Sequence, residues 1–463
     1  MSSVAERIYL NSPAYIQSIL LNQYGRRLTK QRFGDEFRSL EAFLDESQWY
    51  GAEDIQGYQE ERFLSLARHA IDSVPFYNAW AKSANLGAED ITSLEDLRKF
   101  PIIDKVDIRS DAQKFLSTAF ASSRRVHGHT SGTTGSPLDL WYSRHNVIFT
   151  AAVDWRQKRW AGLSPINCGA FLLGRTVVRP TKTAPPFGHF IKPLNQLWLS
   201  SFHLSADRFE WFAEKLEAHG VEYIEGYPST LATFAAFADR RGVRLPMKAA
   251  LTSSETLYEH QRELIERVFE CKLYDFYGLA ERTAFGTECG QGGNKHLNFE
   301  YSINEIVDES GIQVAHGRTG SLVGTGLTNY AMPLIRYKVS DQIAFSDRQC
   351  TCGRRMQLMS NVSTKSEDMV RTADGREISP SILTHPFKPF SQVEKSQIIQ
   401  EDVEHLRVLI VLREGNFDDV VNGLRKGLSD RLGSEMQIDF ERVDDIPRAS
   451  SGKYRWVVSK LNM

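Results

Sequence analysis

Apolar positions along this chain change their period from one region to the next, and each change predicts a different kind of structure. Residues 14–24 put Ile16, Ile19, Leu20 and Tyr24 on one side of a helix, and the basic run Gly25-Arg26-Arg27-Leu28-Thr29-Lys30 follows. Leu64, Ala67, Ala70 and Ile71 repeat the helical spacing, and the pattern stops at Ser73-Val74-Pro75. Residues 1–110 are therefore expected to be mostly helical. Between 120 and 340 short apolar β-type runs (168–173, 223–225, 249–251, 272–277) alternate with helical ones. Leu257, Leu264, Ile265, Val268 and Phe269 recur at i, i+7, i+8, i+11 and i+12, one face of a 3.6-residue period. This strand–helix–strand rhythm predicts α/β layers with a ligand site at strand ends.

The pattern then turns to β. Residues 296–301, 304–307 and 320–325 read as strands with Gly-bearing turns between them, either a distorted antiparallel sheet or a small barrel. After about residue 364 it changes again. A strand over 406–412, an amphipathic helix over 417–432 with Val420, Val421, Leu424 and Leu428 on one face, and a strand over 436–443 make a β-α-β unit. The polar stretch 363–368 reads as a linker. The expected architecture is α/β: a large N-terminal α/β domain over 1–365, with a helical lead over 1–110, layered sheets and a small barrel-like sheet. A small mobile C-terminal α+β domain over 366–463 completes it. There are no internal repeats and no low-complexity segments.

Composition adds exclusions. The 463 residues are 41% apolar and 25% charged, an ordinary globular balance. A net charge of −2 gives no global attraction to nucleic acid or anionic membrane. No apolar run is long enough to span a bilayer, and Met1-Ser2-Ser3-Val4-Ala5-Glu6-Arg7 lacks the apolar core of a secretory signal, so a cytoplasmic location is expected. Five cysteines in a chain of this length are not a disulfide framework. Residues 14–30 have one rival reading, a peripheral membrane helix. Asp35, Glu36, Glu41 and Asp45 soon reverse its charge and favour a packed helix with a solvated end.

The richest candidate chemistry lies in His129-Thr130-Ser131-Gly132-Thr133-Thr134-Gly135-Ser136-Pro137. Two glycines permit close approach of the backbone to a ligand, and hydroxyls with backbone N–H groups can converge on an anion such as a triphosphate. No Gly-Lys-Ser/Thr follows, so it is not a Walker A loop. Four further stretches stand out in order. The first, Tyr274-Asp275-Phe276-Tyr277-Gly278-Leu279-Ala280-Glu281, is a strand ending in a carboxylate. The second, Thr325 to Asp341, carries Arg336-Tyr337-Lys338-Val339-Ser340-Asp341. The third is Thr364-Lys365-Ser366-Glu367-Asp368-Met369, at the domain join. The last is Ile446-Pro447-Arg448-Ala449-Ser450-Ser451-Gly452-Lys453.

In this order and spacing the five stretches resemble the adenylate-forming (acyl-adenylate synthetase) superfamily, and within it the phenylacetate–CoA ligases and the CapK-type proteins of capsular polysaccharide biosynthesis. The resemblance covers nearly the whole chain. It implies a two-step reaction. A carboxylate attacks the α-phosphate of ATP to give an acyl-AMP and pyrophosphate, and CoA or another nucleophile then takes the acyl group. By this resemblance Thr130, Ser131, Gly132, Thr133, Thr134 and Gly135 cradle the phosphates, with Thr134 in a catalytic role. Glu281 holds Mg²⁺, which prefers carboxylate and phosphate oxygens. Tyr277 and Gly278 line the adenine and acyl pocket, and Asp341 accepts the ribose hydroxyls. Ser253-Ser254-Glu255 resembles the adenine-side loop, or caps the helix that follows it. Lys453 is the cation that acts in the transition state. Tyr227, Ser253 and Ala280 are expected in the acid pocket, where two tyrosines suit a planar acid or adenine stacking. Arg336 either orients the site or pairs with a neighbouring carboxylate.

Two positions depart from the family pattern. Ser136 stands where many members carry Lys. Thr364-Lys365-Ser366-Glu367 stands where Gly-Arg-x-Asp is usual, so Lys365 holds nucleotide without a planar fork and Glu367 is the hinge.

Cys289, His296, Cys350 and Cys352 make a Cys₃His set suited to a structural Zn²⁺, and close relatives carry a similar Cys-x-Cys-Gly-Arg segment. Cys168 and Cys271 read as core thiols.

The expected cofactors are ATP, Mg²⁺, a structural Zn²⁺ and CoA. The expected partners are a small-molecule carboxylic acid, an acceptor (CoA, an amine or an amino sugar) and a second copy in a homodimer, with no nucleic acid and no transmembrane segment. The leading reading is an ATP-dependent ligase of surface polysaccharide biosynthesis. Its alternatives are a catabolic aryl-acid–CoA ligase and, in a different class, a nucleotide-binding scaffold without catalysis.

Overall fold

The computed structural model describes residues 8–130, 138–360, 369–378, 380–387, 389–390, 392–446 and 456–462. The lead segment is helical as its spacing predicts, with helices at Ala14–Arg32, Asp35–Ser47, Ala52–Ser73 and Pro75–Ser83. Pro75 begins the last of these, where its missing N–H costs nothing. Phe63, Leu66, Ala67, Ala70 and Ile71 pack with Tyr77 and Ala81 against Leu138, Leu140, Met332 and Ile335, so the lead shares a core with the body of the protein.

The first helix buries a different face from the one its apolar residues predict. Gln17, Leu21 and Gly25 are its buried positions, while Tyr15, Ile19 and Tyr24 are exposed. Gln17 is stable inside because its amide donates to the Tyr9 carbonyl (3.1 Å) and its oxygen lies 3.0 Å from His189 Nε2. Gly25 lets the helix sit against the chain at 191–194, since a Cβ there would lie 2.6 Å from Ile191.

The strands, in chain order, are β1 Val126–His129, β2 Asp139–Tyr142, β3 Gly169–Leu172, β4 Gly188–Ile191, β5 Gln196–Leu199, β6 Tyr223–Gly226, β7 Ala249–Ser253 and β8 Leu273–Gly278. There follow β9 Phe285–Thr287, β10 Lys295–Leu297, β11 Ser302–Val307, β12 Gly320–Gly326, β13 Tyr337–Ile343, β14 Phe345–Ser346 and β15 Leu358–Met359. The main sheet runs β14-β15-β10-β9-β8-β7-β6-β3-β5-β4. Its centre, β5-β3-β6-β7-β8, is parallel. Helices Phe209–Ala218, Pro228–Arg240 and Glu259–Phe269 make the crossovers between successive strands. All four of β6 and all five of β7 are buried, as parallel strands covered on both faces must be.

Beyond β8 the sheet continues antiparallel. The strand expected over 296–301 stops at Leu297, because Asn298 and Glu300 turn inward to Arg156. Arg156 and Glu300 are both fully buried and 2.7 Å apart.

Of the two alternatives for the second β region, the structure has the open sheet: β11-β12-β13, antiparallel throughout. Arg336, just before β13, takes the pairing alternative. Its guanidinium donates to both carboxylate oxygens of Glu305 on β11 (3.0 and 3.1 Å) and to the Phe100 carbonyl (3.1 Å). Its backbone is left-handed, φ 54°, and its N–H is held by Thr325 Oγ1 at 2.9 Å. Arg336→Leu is expected to destabilise the fold by about 3–5 kcal/mol, because it strands a buried carboxylate. Urea melts check this, and the loss should shrink when Glu305→Leu is added.

The C-terminal region has the expected strand–helix–strand unit. Its sheet β20-β19-β18-β21 is formed by β18 Val393–Gln400, β19 His405–Leu412, β20 Gln437–Arg442 and β21 Val457–Ser459, and a two-stranded ribbon of β16 Val370–Arg371 and β17 Glu377–Ile378 precedes it. Val420, Leu424 and Leu428 of helix Phe417–Leu432 pack on its buried face. Its core is continuous with Phe202 and Tyr227 of the larger region. Arg376 donates to the Phe202 carbonyl at 3.3 Å, and Arg413 to that of Arg109 at 3.1 Å. None of the described helices is long and apolar enough to cross a membrane.

Candidate active site

The parallel strands deliver their C-terminal ends to one edge of the main sheet. Register places Gly226 beside Thr252 and Ser253 beside Phe276, so the residues after β6, β7 and β8 emerge at the same level. Tyr227, Ser253, Ser254, Tyr277, Gly278, Ala280 and Glu281 all lie at this edge.

The small sheet closes on it through two tyrosine–carboxylate hydrogen bonds that cross. Tyr277 at the end of β8 donates to Asp341 Oδ2 on β13 (2.7 Å), and Tyr337 at the start of β13 donates to Glu281 Oε1 beyond β8 (2.8 Å). Each sheet thus contributes one phenol and one carboxylate. Burial, reinforced by the facing carboxylates, pushes both phenols well above the ordinary tyrosine range, so they stay donors. Burial also raises the Glu281 carboxyl, against the downward pull of the Tyr337 hydrogen bond and of Lys105; Asp341 pushes the same way as burial. Tyr142 fixes the turn between them by donating to the Ala280 carbonyl at 2.8 Å. Sequence reasoning missed Tyr337. The available signal was its position four residues before Asp341 on one strand, which puts both side chains on the same face.

Of the two readings of Ser253-Ser254-Glu255, the cap on the helix that follows is not formed, since Tyr258 is the N-cap there. Ser254 is left-handed, φ 69°, and exposed. Glu255 accepts the Ser229 N–H at 3.1 Å, so it caps helix Pro228–Arg240 and not the helix that follows it. A carboxylate at an N-terminus is favoured by the orphan N–H groups and the helix dipole. Tyr227 is buried in the cluster containing Ile382 and Leu383 of the C-terminal region. Below it on β6, Glu225 meets Lys158 Nζ at 3.0 Å, and Lys158 meets Asp154 at 2.6 Å. Burial raises the Glu225 carboxyl, with Lys158 opposing.

Thr130 anchors the start of the Ser/Thr/Gly loop. Its N–H donates to the Leu138 carbonyl and its Oγ1 accepts the Leu138 N–H, both at 3.0 Å. Ser131, Gly132, Thr133, Thr134, Gly135 and Ser136 lie outside the described residues, as do Lys365, Glu367 and Lys453.

The cysteine set converges as its spacing predicts. Cys289 follows β9, His296 is on β10, and Cys350 and Cys352 lie between β14 and β15. All four ligand atoms fall within 4.8 Å of one another. Cys289 and Cys350 sulfurs are 3.5 Å apart, and Cys352 Sγ is 3.5 Å from His296 Nε2. Tetrahedral Zn–S and Zn–N bonds of about 2.3 and 2.0 Å give edges of about 3.8 and 3.5 Å. Burial holds His296 down at about 4, leaving a neutral imidazole, and raises Cys289 to about 12. Burial also opposes the Cys352 thiolate, but hydrogen bonds from Arg354, Cys350 and Cys289 together outweigh it and lower that thiol. The Arg354 guanidinium lies over the Trp160 ring at 4.1 Å and over Trp49 at 4.7 Å, which pins the Cys-x-Cys-Gly-Arg turn. Of the other cysteines, Cys168 is buried and Cys271 only partly so.

Residues 370–460 match the family model described as the CapK C-terminal domain. The whole chain is 23% identical to protein CapK of Staphylococcus aureus, over 98% of this chain and 99% of that protein. It is 29% identical to phenylacetate-coenzyme A ligase of Thermus thermophilus, over 79% of this chain and 80% of that one. The chain is homologous to both. A solved structure of 2-hydroxyisobutyryl-CoA ligase, in complex with 2-HIB-AMP and CoA in the thioesterification state, superposes with a TM-score of 0.58 at 19% identity, over 89% of this chain and 91% of that one. The same enzyme in its postadenylation state, in complex with 2-HIB-AMP, gives 0.55 at 18% identity, over 90% of this chain and 92% of that one. The fold is therefore that of the acyl-CoA ligases of the adenylate-forming superfamily.

Proposed function

We propose that this chain activates a carboxylic acid as its acyl-adenylate, at the expense of ATP, and passes the acyl group to CoA or another nucleophile. The observation that carries the reading is the crossed pair Tyr277–Asp341 and Tyr337–Glu281, which presents two carboxylates at the parallel-strand ends. In this reading Glu281 ligates Mg²⁺ on the phosphates and Asp341 takes the ribose. Ser254, Gly278 and Tyr277 lie beside the adenine. The loop from Thr130 through Ser131, Gly132, Thr133, Thr134 and Gly135 cradles the triphosphate, and Lys365 and Lys453 approach from the join and the C-terminal domain. That domain, 366–463, closes about Glu367. The acid occupies the space near Tyr227, Ser253 and Ala280. The ion triad Asp154–Lys158–Glu225 lies on the helix and strand leading there, its charges paired with one another. The CapK-like C-terminal region supports a cytoplasmic step in surface polysaccharide biosynthesis, with CoA, an amine or an amino sugar as acceptor. ATP–pyrophosphate exchange with pooled aryl, amino, uronic and short fatty acids tests the reading. Exchange dependent on one pool supports it and begins to name the acid. Mg-ATP binding without exchange from any pool sinks it in favour of the non-catalytic scaffold.

The Cys289, His296, Cys350 and Cys352 set is proposed to hold a structural Zn²⁺. It staples the antiparallel extension of the main sheet, next to the part-buried pair Arg262–Glu288 (2.9 Å) and the buried pair Lys295–Asp275 (2.9 Å). Protein purified without chelator is expected to contain stoichiometric zinc. Cys350→Ser/Cys352→Ser should lose it and melt at lower temperature. Metal-free wild-type protein that melts with the zinc-bound form would refute a structural role.

A further inference from the structure

We propose that His127, His129 and Asp139 form a separate site for a divalent transition-metal ion of the Zn²⁺, Co²⁺ or Ni²⁺ class, at the base of the 131–137 loop. The hairpin of β1 and β2 builds it. Directly opposed residues of an antiparallel pair share a face, and successive pairs alternate. On β2, Leu140 and Tyr142 are buried, so their partners Gly128 and Val126 take the inner face, although Val126, at the open end of the hairpin, is itself 43% exposed. Gly128 is required there, since a Cβ would lie 2.6 Å from the Tyr142 ring. His127↔Trp141 and His129↔Asp139 therefore face outward together.

The ligand atoms of the three residues lie within 4.8 Å of one another. Asp139 Oδ1 is 2.8 Å from His127 Nε2, and the two imidazole centroids are 5.5 Å apart with planes inclined at 65°. His127 and Asp139 side chains are 51% and 43% exposed, so an ion reaches them without disturbing the fold. Two imidazoles and a carboxylate suit borderline transition ions, with water completing the shell, and are a poor donor set for Mg²⁺. The site is thus chemically distinct from Glu281. It also differs from the thiolate cluster in having no sulfur.

Position gives the site a consequence. The Thr130–Leu138 bonds close the hairpin one step beyond His129 and Asp139. An ion held by both strands there ties the two roots of the loop together. It also places positive charge two residues from each end of a loop that carries Ser136 in place of the family's Lys. The inference does not depend on the adenylation reading, because metal binding is measured without substrate.

The test is a Co²⁺ titration of untagged, chelator-stripped protein followed by visible absorption, with Zn²⁺ competition. Wild type and Cys350→Ser/Cys352→Ser are expected to bind a Co²⁺ equivalent that lacks thiolate charge-transfer absorption. His127→Ala/His129→Ala should weaken that equivalent by at least about 100-fold, more than loss of an outer-shell partner does, and Asp139→Asn should weaken it less. Metal-free melts of the His variant should match wild type, and Co²⁺ should raise the melting temperature of wild type more. If the Cys variant fails to fold, the comparison of wild type with the His variant decides alone. Identical titrations for those two, or a wild type with only thiolate-bound Co²⁺, overturn the proposal and leave a cross-strand His–Asp ion pair.

Discussion

Replacement of Glu281 by glutamine is expected to lower acid-dependent ATP–pyrophosphate exchange by about 10²–10³-fold, the size of losing one preorganised electrostatic group in a water-poor site. Glutamine keeps the volume and can still accept the Tyr337 hydroxyl through its carbonyl oxygen, so the fold should survive. What it loses is the negative charge proposed to hold Mg²⁺. The half-saturating Mg²⁺ concentration should therefore rise in the variant. The pH dependence has a definite sign. Burial raises the Glu281 carboxyl above the ordinary glutamate range, so the proton that Mg²⁺ must displace is held more tightly. Apparent Mg²⁺ affinity in wild type should strengthen as pH rises through that raised value and weaken below it. This dependence should vanish in Glu281→Gln. Tyr337→Phe should alter affinity and pH dependence more than maximal rate, because Tyr337 positions the carboxylate and does not meet the reacting atoms. Exchange that is unchanged in Glu281→Gln, with an unchanged Mg²⁺ requirement, would assign the metal to another group.

The repeating parts of this fold were legible because they are local. Parallel strands buried on both faces are mostly apolar runs, and crossover helices carry a 3.6-residue stripe; both survive in the sequence whatever packs on them. Helix Phe417–Leu432 was readable to the residue for the same reason. The misreadings are polar groups buried by partners far away in the chain. Gln17 is inside because His189 is there to meet it, 172 residues on. The strand at His296 ends early because Glu300 answers Arg156, 144 residues back. Glu255 caps a helix that precedes it by 26 residues. No local period encodes such matches, and an apolar face such as Ile19 and Tyr24 is outcompeted wherever one exists. The candidate site divides the same way. Its motifs were legible as words in order, whereas the crossing of Tyr277 with Asp341 and of Tyr337 with Glu281 depends on how β8 and β13 meet.

Lys453→Ala is expected to reduce exchange by about 10²–10³-fold while leaving Mg-ATP binding close to wild type. The reasoning runs from charge. In the first step a carboxylate oxygen bonds to the α-phosphate as pyrophosphate leaves, so negative charge crowds at the point of attack. In the proposed reading a compact ammonium from the C-terminal region meets that charge late, contributing to the transition state more than to nucleotide binding. Lys453→Arg should restore little, because a planar fork does not replace a point charge at one oxygen pair. The substitution should not disturb the domain. Three residues on, Trp456 is fully buried, its indole N–H donates to Ser396 Oγ at 3.0 Å, and β21 follows it into the sheet. That anchor fixes the described chain from Trp456 onward and does not involve Lys453. Unchanged melting with lost exchange is therefore the expected pair of results. Loss of ATP binding together with exchange would move Lys453 to ground-state recognition. Exchange that persists would place the transition-state charge elsewhere, with Lys365 the next residue to replace.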